Sequence, residues 1–345
     1  MDANHHIRFT LPDRSYTSIT KRDIAKLAVS WGFSEADVGK INIIVAELLS
    51  NLTKFSAHGG ELLVKPVGQP VTTVEIICLD KGPGMAEPLR MQEDGVSTFG
   101  SAGEGLGAIK RLSAVFDIYS QPNFGTVLLV HFAKSDARAK MPIVPAPLEI
   151  GYVMVPKPNE SVCGDGFAIS IKNNRFDVIA LDGLGHGTNA NEASAQAIKA
   201  FHENVSLDPA NRLRAIHNSI KRTRGAVGFT ARMCNGTMEY CGIGNINGKL
   251  YSQEASAIGA PQYKNVISYN GILGYNIPNT LNNQQLDWIR NKTLIMHSDG
   301  LKTRWELSKY PNLLRHHPTT IASVLYLDYT RNTDDTLVVV CKAKI

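Results

Sequence analysis

Residues 178–187 read VIALDGLGHG. Four apolar residues lead into an acid, and three glycines follow within five positions. A short apolar run bounded by glycine is the pattern of a buried strand. Its end delivers Asp182 to the place where the backbone leaves the sheet. Gly183, Gly185 and Gly187 permit positive φ and let the chain approach a bound ion or anion closely. An unpaired carboxylate is costly to bury there. Alone, the pattern fits either a strand–turn–helix junction with a capping Asp or one arm of a ligand site. Further acids of the same kind decide between the two.

Such acids recur. Asp165 lies between Gly164 and Gly166, Asp299 stands in Ser298-Asp-Gly300 after the apolar run 293–297, and Asp334-Asp335 precedes the valine-rich end. Residues 167–172 and 176–181 are expected to form a β-hairpin turning at Asn173-Asn174, which brings Asp165 and Asp182 to one end of a sheet. Strands are also expected at 149–156, 227–234, 238–242, 249–252 and 293–297, and helices at 191–202, 209–221 and 319–329. Hard oxygen donors of this kind suit Mg2+ or Mn2+ and not Zn2+. Converging carboxylates without a cation repel and raise one another's pKa. A divalent pair removes that conflict and makes hydroxide available near neutral pH.

The order Gly-Asp, Asp-Gly-x-Gly-His-Gly, Ser-Asp-Gly, Asp-Asp-x-x-Val-Val resembles the metal-dependent protein phosphatase 2C family over residues 148–345, in its SpoIIE-like branch. The resemblance implies an α-β-β-α sandwich that hydrolyses phosphoserine or phosphothreonine on STAS-domain partners. It implies two Mn2+ or Mg2+ ions, with Asp182 as the catalytic carboxylate bridging both. The Gly183 carbonyl, Asp165, Asp299 and Asp334 would complete the ligands, with Asp335 outside that set. Eukaryotic members grip the phosphate with an Arg near the domain start. No clear equivalent stands here, Lys157 being the nearest candidate, and His186 is read as structural.

The first half repeats the strand–acid–glycine theme. A strand is expected at 7–11 and an amphipathic helix at 18–31. Ser34 caps a second helix whose buried stripe is Ile41, Ile44, Val45, Leu48 and Leu52. Glu47 and Asn51, four apart, share one face of it. Strands are expected at 61–66 and 72–79, the latter ending in Asp80-Lys-Gly-Pro-Gly84. Gly103-x-Gly105-x-Gly107 then opens a helical pattern, which suits a phosphate cradle. Strands at 115–120 and 125–132 follow. Glu47-x-x-x-Asn51, Asp80-x-Gly82-x-Gly84 and the three alternate glycines, in that order, resemble the GHKL ATP-binding fold over residues 5–133. The wording is that of the switch-kinase branch, which phosphorylates Ser or Thr on STAS-domain antagonists. The resemblance implies a Bergerat α/β sandwich binding ATP and Mg2+. Asn51 would hold Mg2+, Glu47 would be the base, and Asp80 would accept from the adenine amino group. Gly82 and Gly84 would admit the base, and Gly103, Gly105 and Gly107 would wrap the phosphates.

A chain of 345 residues favours two domains. The expected fold is therefore α+β in two parts, residues 1–133 and 148–345. Residues 134–147, charged and then proline-rich, form the expected linker. A net charge of +5 without a Lys/Arg block gives no nucleic-acid footprint. No apolar stretch is long enough to span a bilayer. Five scattered cysteines without C-x-x-C spacing read as reduced thiols, so the expected location is cytoplasmic. The expected role is a bacterial partner-switching regulator of stress signalling. Its partners would be ATP, a STAS-type phosphoprotein and a sigma factor, with no nucleic acid and no membrane. Three rivals remain: an ATP module that only docks or senses nucleotide, a non-catalytic binding platform, and a nuclease or small-molecule phosphatase.

Overall fold

The computed structural model describes residues 4–56, 59–88, 90, 105–138, 147–252 and 262–344. Gly103 and most of the expected linker lie outside these. The chain divides into two compact units, residues 6–144 and residues 145–345 with the first five.

In the first unit, strands β1 (Ile7–Leu11), β2 (Gly60–Val67), β3 (Thr73–Asp80), β4 (Val115–Gln121) and β5 (Gly125–Ala133) form one sheet in the order β1-β2-β3-β5-β4. All its pairs are antiparallel. Helices α1 (Thr17–Ser30), α2 (Glu35–Phe55) and α3 (Gly105–Leu112) share one core with it. The expected stripe of α2 is fully inside: Ile41, Ile44, Val45 and Leu48 are at 0% exposure. Each such side chain contributes roughly 1.5–3 kcal/mol of burial. The Ser34 hydroxyl accepts the Asp37 amide at 3.2 Å and starts the helix. Buried Asp37 in turn receives the Ser135 amide at 3.2 Å and the Ser135 hydroxyl at 2.5 Å. It thereby holds the short helix α4 (Ser135–Arg138) to the first unit.

The second unit stacks two five-stranded sheets. One contains β7 (Asp165–Lys172), β8 (Arg175–Gly183), β9 (Ala226–Cys234), β10 (Thr237–Ile243) and β13 (Gln284–Asp287). The other contains β6 (Leu148–Val155), β11 (Asn247–Ser252), β12 (Gln262–Val266), β14 (Lys292–His297) and β15 (Thr336–Ala343). The inner faces meet through Phe167, Val178, Phe229, Met233, Met296, Leu337 and Val339. Helices α5 (Thr188–Glu203) and α6 (Pro209–Ser219) cover the outer face of the first sheet, with Phe201, Leu213 and Ile216 against Ile179 and Leu181. Helix α7 (Pro318–Tyr329) packs on β6 and β15. This is the α-β-β-α sandwich expected. Two strands, β12 and β13, were not expected.

The hairpin turn falls at Asn173 and Asn174, both with positive φ. Asp177, near that far end, is ringed by Arg175, Arg212 and Arg232 at 2.9, 2.5 and 2.9 Å. The same guanidiniums bond the Val205 and Leu207 carbonyls and pin the α5–α6 connection. All five cysteines are free thiols. Among the described residues no helix is long and apolar enough to cross a membrane.

Candidate active site

In the second unit, β7 and β8 set Asp165 directly opposite Asp182. Asp165 is buried, and its Oδ2 accepts the Ser298 hydroxyl at 2.7 Å. Ser298 belongs to the other sheet. Its amide donates to the Leu337 carbonyl and its Oγ accepts the Leu337 amide, each at 3.0 Å. One serine therefore ties the two sheets together at the acidic end. His297 before it is buried and held neutral. The Trp305 indole can only donate, and it donates to His297 Nε2 at 2.9 Å. The imidazole proton is thus on Nδ1, which donates to the Ser298 carbonyl at 2.8 Å. Burial pushes the His297 pKa down to about 4. Next along the turn, Asp299 Oδ2 accepts from the Asn245 side chain at 3.0 Å.

Asp335 is buried, and its Oδ1 accepts the Lys157 amide at 2.9 Å. Its Oδ2 lies buried beside Gly164 and closes no hydrogen bond of good geometry. Asp334 Oδ1 accepts the following Asp335 amide at 2.9 Å. Glycines make this crowding possible. A Cβ on Gly164 would stand 2.7 Å from Asp335 Oδ2, and one on Gly300 would meet the Asp335 carbonyl. Gly183 donates its amide to the Gly164 carbonyl at 3.2 Å, and its Cβ would run into Ala190 of α5.

The electrostatics follow. Burial, then the charges of Asp299 and Asp334, push Asp182 up to about 7. Burial and Asp182 push Asp165 well above the carboxylate range. Asp335 is raised by burial and by Asp334. Five acids thus sit at one end of the sandwich, close enough to disturb one another. Among the described residues no three His, Cys, Asp or Glu side chains close into an ion-holding cluster. The donor chemistry nonetheless fits a hard divalent cation: every donor is oxygen, the charges conflict, and Asp335 Oδ2 closes no hydrogen bond of good geometry.

Ser298, Asn245, Trp305 and Glu160 were missed from sequence. Glu160 Oε1 pairs with His186 Nδ1 at 2.7 Å on the exposed rim. Only the Ser-Asp-Gly wording pointed toward any of them.

In the first unit, Glu47 and Asn51 lie half-buried one turn apart on α2. A Cβ on Gly105 would come within 2.6 Å of Glu47 Oε2, so the start of α3 lies against that carboxylate. Gly107 is buried in α3. Asp80 ends β3, and its Oδ1 accepts the Gly82 amide at 2.7 Å. Burial raises its pKa against the hydrogen bonds of Gly82 and Thr126. A Cβ on Gly82 would stand 2.5 Å from the Phe55 carbonyl at the end of α2. Gly84 has φ +69, and its Cβ would strike the Gln121 carbonyl. The Asp80–Gly84 turn, α2 and the start of α3 thus meet at one end of the unit. Lys110 and Arg111 are exposed.

Two curated proteins are similar to parts of the chain. The chain is 31% identical over 105 residues to the serine/threonine-protein kinase RsbT of Bacillus subtilis, covering 77% of that protein and 30% of this one. It is 31% identical over 152 residues to the phosphoserine phosphatase RsbX of the same organism, covering 70% of that protein and 42% of this one. The chain belongs to the RsbT and RsbX families. It joins a protein phosphatase 2C module to a GHKL-type kinase-like module. A solved chain from work on the bacterial stressosome, a modular system adapted to control secondary messenger signalling, matches 56% of this chain over 99% of its own. The identity is 27% and the TM-score 0.50. No protein-family model matches the chain.

Proposed function

We propose that the chain is a partner-switching regulator whose second unit is a Mn2+- or Mg2+-dependent phosphoserine/phosphothreonine phosphatase for a STAS-type partner. Its first unit is an ATP-binding serine/threonine kinase module working on the same class of partner. The observation that carries the reading is the gathering of Asp165, Asp182, Asp299, Asp334 and Asp335 at one end of a phosphatase 2C sandwich, where burial and neighbouring carboxylates raise Asp165, Asp182 and Asp335. A protein pays for such repulsion only where a cation relieves it.

Asp182 would bridge two ions, with the Gly183 carbonyl, Asp165, Asp299 and Asp334 as the other ligands. When bound, the ions supply Lewis acidity and hydroxide near neutral pH. The chain does the positioning. Ser298 holds Asp165 by its hydroxyl, and the neutral His297 holds the Ser298 carbonyl. Asn245 orients Asp299, and the Lys157 amide orients Asp335.

In the first unit, Asn51 would hold Mg2+ on ATP and Glu47 would accept the proton of the acceptor hydroxyl. Asp80 would bind the adenine amino group, with Gly82 and Gly84 leaving room for the ring. Gly105 and Gly107, with Gly103 outside the described residues, would wrap the phosphates. Positioning and charge stabilisation are most of what phosphoryl transfer needs.

The test is phosphate release from a phosphoserine STAS protein with Mn2+. The full chain is expected to release it, chelator is expected to stop it, and Asp182→Asn is expected to cut kcat by at least about 100-fold. Release that survives both treatments would end the reading.

A further inference from the structure

The five acids leave a problem for the substrate. A phosphoserine monoester carries close to two negative charges at neutral pH. It must approach an end of the sandwich where five carboxylates gather, more negative charge than two divalent ions offset. A cation fixed beside the site and not already paired would offset that repulsion. Lys157, the nearest cation by sequence, touches the site through its backbone amide, which donates to Asp335.

Arg224 stands elsewhere in the chain, in the run Lys221-Arg-Thr-Arg224 between α6 and β9. The glycine loop that follows Asp182 passes beneath it. A Cβ on Gly185 would lie 3.0 Å from Arg224 Nη1, and Gly185 has φ +88, a conformation that favours glycine. The backbone on either side of Arg224 is fixed. The Leu184 amide donates to the Gly225 carbonyl at 3.0 Å, which ties this segment to the Asp182 loop directly. Thr223 Oγ1 accepts the Gly225 amide at 3.0 Å and donates to the Ile220 carbonyl at 2.8 Å. Gly225 has φ +79, and a Cβ there would stand 2.5 Å from the Leu273 carbonyl.

The guanidinium at the end of this fixed segment is exposed. Among the described residues Arg224 makes no hydrogen bond and no ion pair. The other buried-site arginines of the unit, around Asp177, are consumed by a carboxylate and by carbonyls. A planar guanidinium presents a fork of donors that matches a phosphoryl group.

We propose that Arg224 binds the phosphoryl oxygens of the substrate. The proposal rests on the phosphatase reading above. Gly185 is then the clearance that lets the guanidinium lie over the loop carrying Asp182.

Two measurements on the full chain with Mn2+ test it: hydrolysis of p-nitrophenyl phosphate and a phosphoserine peptide, and direct binding of inorganic phosphate followed by 31P NMR. Arg224→Ala is expected to raise KM and weaken inorganic phosphate binding by at least about tenfold, the loss of a charge-assisted bond. Its Mn2+ affinity and thermal midpoint are expected to stay at the wild-type values. Arg224→Lys is expected to recover part of the binding, since it keeps the charge without the fork. Arg222→Ala, an exposed neighbour, is expected to stay within about twofold, which separates a specific contact from loss of local charge. Phosphate affinity and KM of Arg224→Ala within twofold of wild type would overturn the assignment, and so would an equal loss in Arg222→Ala. A wild-type chain that hydrolyses neither substrate overturns the phosphatase reading instead. In that case unchanged phosphate binding in Arg224→Ala still rejects the arginine, and tenfold weaker binding still supports it.

Discussion

Asp182 shows what a single residue costs its fold. Its pKa, raised to about 7, means that the ion-free folded chain favours the protonated form. Its contribution to stability is therefore full below the unfolded carboxylate value near 4 and is lost as pH rises toward 7. At pH 8 without metal the loss is complete. Asp182→Asn removes the charge and keeps the shape. With chelator at pH 8 the variant is expected to be more stable by on the order of 2 kcal/mol, a rise of a few degrees in the unfolding midpoint. At pH 4 the two proteins are expected to melt together. Mn2+ is expected to raise the wild-type midpoint and leave the variant nearly where it was. Calorimetry at the two pH values reads all three, and a variant less stable than wild type at pH 8 with chelator would show that the repulsion is not there.

The strands and helices separate what a sequence displays from what it hides. Asp165, Asp182 and Asp299 stood out because each opens or follows an apolar strand and touches glycine, and Asp334 because it stands just before one, local patterns with a local cause. The β7–β8 hairpin was legible from its Asn-Asn turn. The bond from Ser298 to Asp165 was not, since it joins residues 133 apart in different sheets. β12 and β13 were missed because their sequences, QYKNV and QQLD, carry no apolar alternation. They are strands by virtue of pairing with β11 and β10. Arg224 had no periodic signature at all. A polar ladder across β2, β3 and β5 was equally invisible. Glu75 accepts from Lys65 at 3.1 Å, His6 at 3.0 Å and His131 at 2.7 Å, and Lys65 and His131 are its registered partners. Burial alone would raise its pKa, but Lys65, His131 and His6 outweigh burial and hold it well below the carboxylate range. Its stabilisation is thus present above the ordinary value near 4.5 and is lost as pH falls below it. Glu75→Gln is expected to cost on the order of 3 kcal/mol at pH 7, because it leaves the buried Lys65 ammonium uncompensated. The gap to wild type is expected to narrow between pH 5 and 3. A gap that stays constant over that range would mean the ladder is packing and not charge.

At the scale of the whole chain, a phosphatase 2C module and a GHKL-type kinase-like module share one polypeptide. If both units work on one STAS-type partner, ATP phosphorylates it and Mn2+-dependent hydrolysis returns it, with the net reaction ATP plus water to ADP plus phosphate. The full chain with partner, Mg2+ and Mn2+ is therefore expected to show steady partner-dependent ATP turnover. Each unit is removed by a different residue, and the two losses differ in form. Asn51→Ala is expected to abolish turnover from the start, with the partner unphosphorylated, because no Mg2+–ATP is held for transfer. Asp182→Asn is expected to give a burst that stops near one phosphate per acceptor site, because the partner fills and is not emptied. Mixing the two variants is expected to restore steady turnover if the units act through free partner in solution. A time course of ADP release with the partner's phosphorylation measured alongside distinguishes these cases. Wild-type chain that binds ATP yet shows no burst, even with Asp182→Asn, would leave the first unit as a nucleotide-sensing or docking module and the phosphatase as the sole chemistry.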